Sequence, residues 1–248
     1  MKGKEGVGRD LTVDVIFFGA HPDDVELSAG GTVAKLVRDG LRVGIVDLTR
    51  GEMGTRGTPQ TRMREASSAA RALGVAFREQ LDFGDGGLRT TRDEELQIIE
   101  VIRRRRPSLV FAPYPDDRHP DHTRTGRIVT EASFYAGLRQ LKSDLPAHRP
   151  QMTIHYLQNY QVAPSFVVDV TKVWKTKMKS IHSYRSQFHD PKSKEPATFI
   201  SDPKFLEMIE ARGRHFGALI GVVYGEAFVT RQPPRVDDLI AAYRGREV

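Results

Sequence analysis

The sequence predicts an α/β fold: a Rossmann-like, mostly parallel sheet with helices on both faces. Short runs of β-branched and aromatic residues, such as Val13–Phe18, are typical of buried strands. These runs alternate with segments whose apolar residues recur at helical spacing, and this alternation favours right-handed crossovers between parallel strands. The chain has 248 residues, of which 39% are hydrophobic, so we expect one globular domain.

The first half of the chain alternates strictly between strands and helices. Strands are predicted at Val13–Phe18, Arg42–Leu48, Ala76–Leu81 and Leu109–Ala112. Helices are predicted at Val25–Asp39, at Thr61–Gly74, and from a cap at Thr91 or Asp93 to the residue before Pro107. Gly40 and Pro107 mark helix ends, since glycine suits a C-cap and proline restricts the residue before it.

The second half is less regular, although no segment marks a clean domain boundary. Helices are predicted at Thr123–Leu141, Thr171–His182 and Pro203–Phe216. Strands are predicted at Met152–Gln158 and Ser165–Val170, with a short strand or edge segment at Val222–Phe228 and a polar loop at Ser183–Ser201. We therefore expect an N-terminal tail at residues 1–10 and a single domain at residues 11–248 with a less regular C-terminal part.

Composition narrows the classes of function. The chain has no cysteine, which excludes disulfides, thiolate metal ligands and a cysteine nucleophile. No apolar stretch approaches the length of a membrane span and the N-terminus is polar, so we expect a cytoplasmic protein without a membrane partner. The net charge of +6 raises the alternative of a basic nucleic-acid-binding module. We expect no nucleic-acid partner, because Arg103–Arg106 are most simply the solvated end of a helix and no recognition motif accompanies them.

A candidate metal site begins at Gly19–Glu26, where the first predicted strand meets the first predicted helix. His21 and Asp24 offer an imidazole and a carboxylate, two ligand types that zinc accepts. They lie at the carboxyl end of a strand, which is where open α/β sheets bind their ligands. One loop cannot complete such a site, so a third ligand must come from elsewhere in the chain.

The segment Asp116–His122 supplies that third candidate, His122, directly after the predicted strand Leu109–Ala112. The first and fourth strands of a doubly wound sheet can be neighbours, which would bring the two segments together. Three protein ligands leave one position for water, as in catalytic zinc sites. Zinc is therefore the expected ion, and another divalent ion such as Fe²⁺ is the alternative. Each segment alone also fits a capped turn, but two of them after buried strands favour a metal site.

Two residues beside the predicted ligands have candidate catalytic roles. A free carboxylate at Asp23 can accept a proton from metal-activated water and return it to a leaving amine. His119 either stabilises a developing oxyanion when protonated or, when neutral, acts as a partner of the ligands. The glycine-rich loop Thr49–Pro59 also leaves the end of a strand and is a candidate substrate loop.

Both motifs resemble the signatures of a known protein family. Ala20–Glu26 with Gly30–Thr32, and Pro115–His122, resemble the two signatures of the LmbE/PIG-L family of zinc-dependent N-deacetylases. Within that family, Thr49–Thr58 and Tyr224–Phe228 are most similar to the bacillithiol-biosynthesis branch. Members of that branch remove acetate from N-acetylglucosaminyl malate. The resemblance extends over most of the chain.

The resemblance implies a role for each candidate residue. It implies that His21, Asp24 and His122 hold zinc. It also implies that Asp23 is the general base and that His119 stabilises the transition state.

The resemblance further implies that Arg62 and Arg118 contact the substrate, although both also fit plain surface charges. The implied partner is a small-molecule acetylated amino sugar, N-acetyl-α-D-glucosaminyl L-malate. An inositol glycoside or a chitooligosaccharide is the alternative. A homo-oligomer is a further expectation from the family.

Overall fold

The computed structural model describes residues 12–189, 191 and 193–240, and its centre is a mixed sheet of seven strands. The strands are β1 (Val15–Gly19), β2 (Val43–Asp47), β3 (Phe77–Gln80), β4 (Leu109–Pro113), β5 (Met152–Tyr156), β6 (Phe166–Asp169) and β7 (Gly225–Val229). Their order across the sheet is β3-β2-β1-β4-β5-β7-β6. Strands β1 to β5 pair in parallel, whereas β7 runs antiparallel to both β5 and β6. The predicted tail at residues 1–10 lies outside the described residues.

Helices cover both faces of this sheet, which confirms the predicted fold class. They are α1 (Asp24–Arg38), α2 (Pro59–Leu73), α3 (Arg92–Arg105), α4 (Pro120–Ala136), α5 (Trp174–Ile181) and α6 (Phe205–Leu219). Alternate residues of a strand point to opposite faces, so Val15 and Phe17 pack with α1, α2, α5 and α6. Ile16 and Phe18 pack with α3 and α4 on the other face. Within the described chain, no helix is both long and apolar enough to cross a membrane.

The pairing of β1 with β4 places the two candidate motifs side by side. The strands run in parallel with Phe17 opposite Phe111, and the two rings stack with their centroids 4.3 Å apart. Parallel strands end at the same edge of a sheet, so the loops that follow Gly19 and Pro113 are neighbours. The predicted adjacency of the first and fourth strands is therefore confirmed.

The helix predicted at Thr123–Leu141 is α4, and its bounds were predicted wrongly. The helix takes in the end of the second motif, because Pro120 suits a first helical turn, where its missing N–H is not needed. The His119 side chain caps the helix by accepting a backbone N–H of that turn. His122 consequently lies in the first turn of α4, and the helix ends at Ala136.

Other predicted bounds shift by a few residues. Thr91 rather than Asp93 caps α3, through a capping box with Glu94. The helix predicted at Thr171–His182 begins as a 3₁₀ turn before α5. The helix predicted at Pro203–Phe216 is α6, which starts and ends slightly later along the chain.

The basic cluster Arg103–Arg106 is not simply solvated, so that prediction was wrong. The Arg103 side chain is buried and donates hydrogen bonds to the carbonyls of Ala136 and Leu138, at 3.0 and 2.7 Å. Arg103 thereby satisfies carbonyl groups at the end of α4, which have no partner within the helix. The two following arginines contact Glu79 on β3.

The buried carboxylate of Glu226 ties strand β7 to both α1 and α5. Glu226 of β7 accepts hydrogen bonds from the backbone N–H groups of Gly31 and Thr32, at 2.9 and 2.6 Å. It also accepts one from the Lys177 ammonium at 2.5 Å, and both charged side chains are only 3% exposed. Gly31 permits this close approach, since a Cβ atom there would lie only 3.0 Å from Oε1 of Glu226 and 2.8 Å from the side chain of Val170.

Replacing Glu226 with Gln is expected to lower the free energy of unfolding by about 3–5 kcal/mol, because Lys177 would stay buried without a charged partner. Urea unfolding followed by circular dichroism measures the change. Glu210→Gln is the matched control, since Glu210 forms an exposed ion pair with Arg214 and should leave the unfolding midpoint nearly unchanged. Equal losses in the two variants would contradict a special role for the buried pair.

Candidate metal centre

The first motif forms a tight turn between β1 and α1. Asp23 has a φ of 108°, a left-handed conformation that is rare for a residue with a side chain. Such backbone strain is typical of functional sites. The turn lets Asp24 begin α1, and Oδ2 of Asp24 accepts the backbone N–H of His21 at 2.9 Å. All three side chains are buried.

Asp24 meets His122 across the edge of the sheet. Oδ1 of Asp24 lies 3.1 Å from Nε2 of His122, and Nδ1 of the same ring lies 2.9 Å from Oδ1 of Asp117. Asp117 is fixed in turn by the backbone N–H groups of His119 and Asn159, at 2.9 and 3.0 Å. Burial lowers the pKa of His122, but the charges of Asp24 and Asp117 outweigh burial and raise that pKa to about 9.

His21 lies among three carboxylates. Its Nδ1 is 3.5 Å from Asp24 Oδ2, and its Nε2 is 3.0 Å from Asp85 Oδ1 and 3.5 Å from Asp121 Oδ2. Despite this proximity, Nε2 is a buried atom that makes no well-aligned hydrogen bond to any described residue. An unpartnered ring nitrogen surrounded by carboxylate oxygens is chemically suited to a cation.

Two overlapping sets of side chains are close enough to hold a metal ion. The ligand atoms of the predicted set, His21, Asp24 and His122, all lie within 4.8 Å of one another. A second set, His21, His119 and Asp121, meets the same limit and shares His21. Two imidazoles and one carboxylate are a donor set typical of divalent zinc. The residues present therefore fit a metal ion.

Asp23 lies beside the cluster but belongs to neither set. Its Oδ2 accepts a hydrogen bond from Arg62 at 3.0 Å, and Arg62 also donates to the carbonyl of Pro22. Burial raises the pKa of Asp23 to about 7; the Arg62 guanidinium opposes this shift, and the charge of Asp24 adds to it. A carboxyl group with a pKa near neutrality is well placed to exchange protons at neutral pH.

His119 is a hydrogen-bond donor toward the cavity even when neutral. Its Nδ1 accepts the backbone N–H of Asp121 at 3.2 Å, so the proton of the neutral ring lies on Nε2. Burial lowers the pKa of His119, and the charges of His21 and His122 lower it further. The His119 and His122 rings stack with their centroids 4.7 Å apart. Of the two protonation states that the sequence left open, the structure favours the neutral one.

The cluster opens into a cavity of about 640 Å³. One wall is a face of α6 formed at helical spacing by Phe205, Met208, Ile209 and Arg212. The predicted substrate loop contributes Met53–Thr55, and the polar loop contributes Gln187 and Phe199.

Arg118 also lines the cavity, with its guanidinium 4.8 Å from the centroid of the Phe199 ring. Arg62 lines it as well, although its polar contacts are to the first motif.

Three polar residues of this site received no role from the sequence. Asp85 follows β3, Asp117 follows β4 and Gln158 follows β5. Their common signal is a position just beyond the carboxyl end of a parallel strand. That signal applies to every loop at this edge, so it cannot select these residues before the fold is known.

Comparison with known proteins agrees with this geometry. The profile of the PIG-L family, described as GlcNAc-PI de-N-acetylase, matches residues 16–133. A diacetylchitobiose deacetylase of Thermococcus kodakarensis is 35% identical over 186 residues, which cover 70% of each chain. A probable N-acetyl-alpha-D-glucosaminyl L-malate deacetylase 2 of Bacillus cereus is 28% identical over 183 residues, covering 67% of this chain and 80% of that protein. A solved structure, a conserved protein of Thermus thermophilus, is 38% identical with a TM-score of 0.84, covering 92% of this chain and 99% of that one.

His122→Ala is expected to abolish tight zinc binding, because it removes an imidazole from the predicted donor set. His119→Ala is the matched control and should retain zinc, since His119 belongs only to the second set. Each variant is loaded with zinc, desalted and analysed for metal by mass spectrometry. Loss of zinc from His119→Ala together with retention in His122→Ala would place the ion in the second set instead.

Proposed function

Given that the chain belongs to the PIG-L family of deacetylases, we propose that it hydrolyses the acetamido group of an N-acetylglucosamine conjugate with one bound zinc ion. The observation that carries this proposal is the set of His21, Asp24 and His122 beside the carboxyl group of Asp23 in one cavity. Fe²⁺ accepts the same ligands and is the alternative ion. Residues 11–248 are proposed to form one deacetylase domain.

In the proposed reaction, the bound ion supplies Lewis-acid chemistry, polarising the acetyl carbonyl and lowering the pKa of water. Asp23 accepts a proton from the attacking water as the new C–O bond forms. It returns that proton to the nitrogen as the C–N bond breaks, so the products are acetate and a free amine. Arg62 orients the Asp23 carboxylate. His119 donates a hydrogen bond from Nε2 to the oxygen that gains negative charge.

L-Malate is the proposed conjugate partner of the sugar, which would place the protein in bacillithiol biosynthesis. Arg118 lines the cavity, and in the described part of the chain its guanidinium forms no ion pair with a carboxylate. Arginine binds carboxylates with two parallel hydrogen bonds, so an unpaired guanidinium in the cavity favours an anionic aglycone. Diacetylchitobiose is the second candidate, because the relative named for it has the higher identity, 35% against 28%.

Asp23→Asn is expected to lower kcat by at least about 100-fold, because the amide cannot accept the proton of water. Zinc content should be unchanged, since Asp23 lies outside the donor set. Acetate release and bound metal are measured on the same preparation. Asp39→Asn, on the exposed end of α1, is the control and should match the parent protein. Near-normal turnover of Asp23→Asn would refute the general-base role.

The conjugate partner is tested by comparing kcat/KM for the malate conjugate, diacetylchitobiose, an inositol conjugate and free N-acetylglucosamine. The proposal expects the malate conjugate to be preferred. Arg118→Met should lower its kcat/KM roughly 10–100-fold, the effect of losing a hydrogen bond to a charged group, with little change for diacetylchitobiose. A preference for diacetylchitobiose that Arg118→Met leaves unaltered would overturn the malate assignment while leaving the deacetylase proposal standing.

A further inference from the structure

We propose that Gln158 is a positioning residue that orients the carboxylate of Asp24 for metal binding, and that Arg212 fixes Gln158 in place. This inference rests on the metal site of the proposed function. Neither residue belongs to the two sequence motifs or to either set of candidate ligands. Both line the same cavity as the candidate ligands.

Gln158 holds one oxygen of Asp24 and the first motif holds the other. The Gln158 side chain follows β5 and donates from Nε2 to Asp24 Oδ1 at 2.9 Å. Oδ2 of Asp24 accepts the backbone N–H of His21, also at 2.9 Å. Nε2 of His122 also lies 3.1 Å from Oδ1, but an imidazole nitrogen that binds a metal ion carries no proton to donate. With His122 as a metal ligand, Gln158 and the backbone N–H of His21 are the donors, among the described residues, that oppose rotation of the carboxylate about its Cβ–Cγ bond.

The oxygen at the other end of the Gln158 amide, Oε1, makes no contact with a described residue that would stabilise the fold. An ionised carboxylate only accepts hydrogen bonds, so the contact with Asp24 requires the NH₂ group to face it and Oε1 to point away. Oε1 is buried and has no hydrogen-bond partner among the described residues. A buried acceptor without a partner typically costs about 1–3 kcal/mol. The unpartnered Oε1 therefore carries a stability cost, and among the described residues the side chain's polar contact is with Asp24.

Arg212 connects the segment that carries Gln158 to the helix that carries Asp24. From α6, its guanidinium donates to the backbone carbonyl of Gln158 at 2.5 Å and to that of Leu27 at 2.7 Å. Leu27 lies in the first turn of α1, the turn that begins with Asp24. Arg212 thereby holds the backbone of Gln158 against the helix that carries the carboxylate. Arg212 acts through these carbonyls and touches no candidate ligand.

Outer contacts that orient a metal ligand typically contribute 10–100-fold to metal affinity. Gln158→Leu removes the donor to Asp24 while keeping a side chain of comparable bulk, and it also removes the unpartnered Oε1. We therefore expect the zinc dissociation constant to rise roughly 10–100-fold. The melting temperature of the metal-free protein should be nearly unchanged, because loss of the hydrogen bond to Asp24 is offset by loss of the unpartnered Oε1. A purely structural role predicts the reverse pattern, a lower melting temperature with unchanged zinc affinity.

The experiment measures zinc affinity by competition with a chromogenic chelator, and thermal unfolding in the presence of EDTA. Gln161→Leu is the matched control, since Gln161 is an exposed glutamine lining the same cavity and should leave zinc affinity unchanged. Arg212→Lys, which keeps the charge but lacks the two separate donor nitrogens that reach the two carbonyls, should weaken zinc binding by a smaller factor than Gln158→Leu.

The outcomes separate this inference from the proposed function. If the parent protein and Gln158→Leu bind zinc equally well, the positioning role is wrong and the metal site stands. A lower melting temperature in EDTA with unaltered zinc affinity would also overturn the positioning role. If the parent protein binds no zinc, the proposed function fails, and the inference fails with it.

Discussion

The site depends on the parallel pairing of β1 with β4 at the centre of the sheet. This pairing ends both strands at one edge, so the turn at His21 and the first turn of α4 at His122 are neighbours despite their separation in the chain. Buried apolar packing on both faces of β1 fixes the pairing, with Phe17 stacked on Phe111 on one side and Ile16 and Phe18 in the opposite core. The polar cluster therefore rests on a rigid scaffold.

Two adjacent carboxylates in the first motif acquire opposite properties from this scaffold. Burial raises the pKa of both, yet the neighbouring imidazoles of His122 and His21 outweigh burial at Asp24 and hold its pKa well below the usual value. At Asp23 burial prevails, although Arg62 opposes it, and the pKa reaches about 7. When the surroundings of two neighbouring carboxyl groups give them different pKa values, one group can exchange protons while the other stays ionised.

The sequence was sufficient to predict the fold class and the adjacency of the two motifs, because each motif directly follows a run of buried strand residues. It could not predict the contacts made by Asp85 or Gln158, since these depend on which loops meet at the sheet edge. The bounds of α4 differ from the predicted Thr123–Leu141 for a local reason: the helix begins at Pro120, because proline is well tolerated in a first helical turn. Arg103 was read as solvated because its carbonyl partners lie on a distant helix end.

The most direct test of this account is acetate release from N-acetylglucosaminyl malate and from diacetylchitobiose, measured on one preparation before chelation, after chelation and after zinc is restored. We expect bound zinc, acetate release from at least one of the two substrates, loss of release on chelation and recovery with zinc. Acetate release that continues after complete removal of the metal would contradict the role assigned to His21, Asp24 and His122. Zinc binding without acetate release from either compound would contradict the proposed substrates.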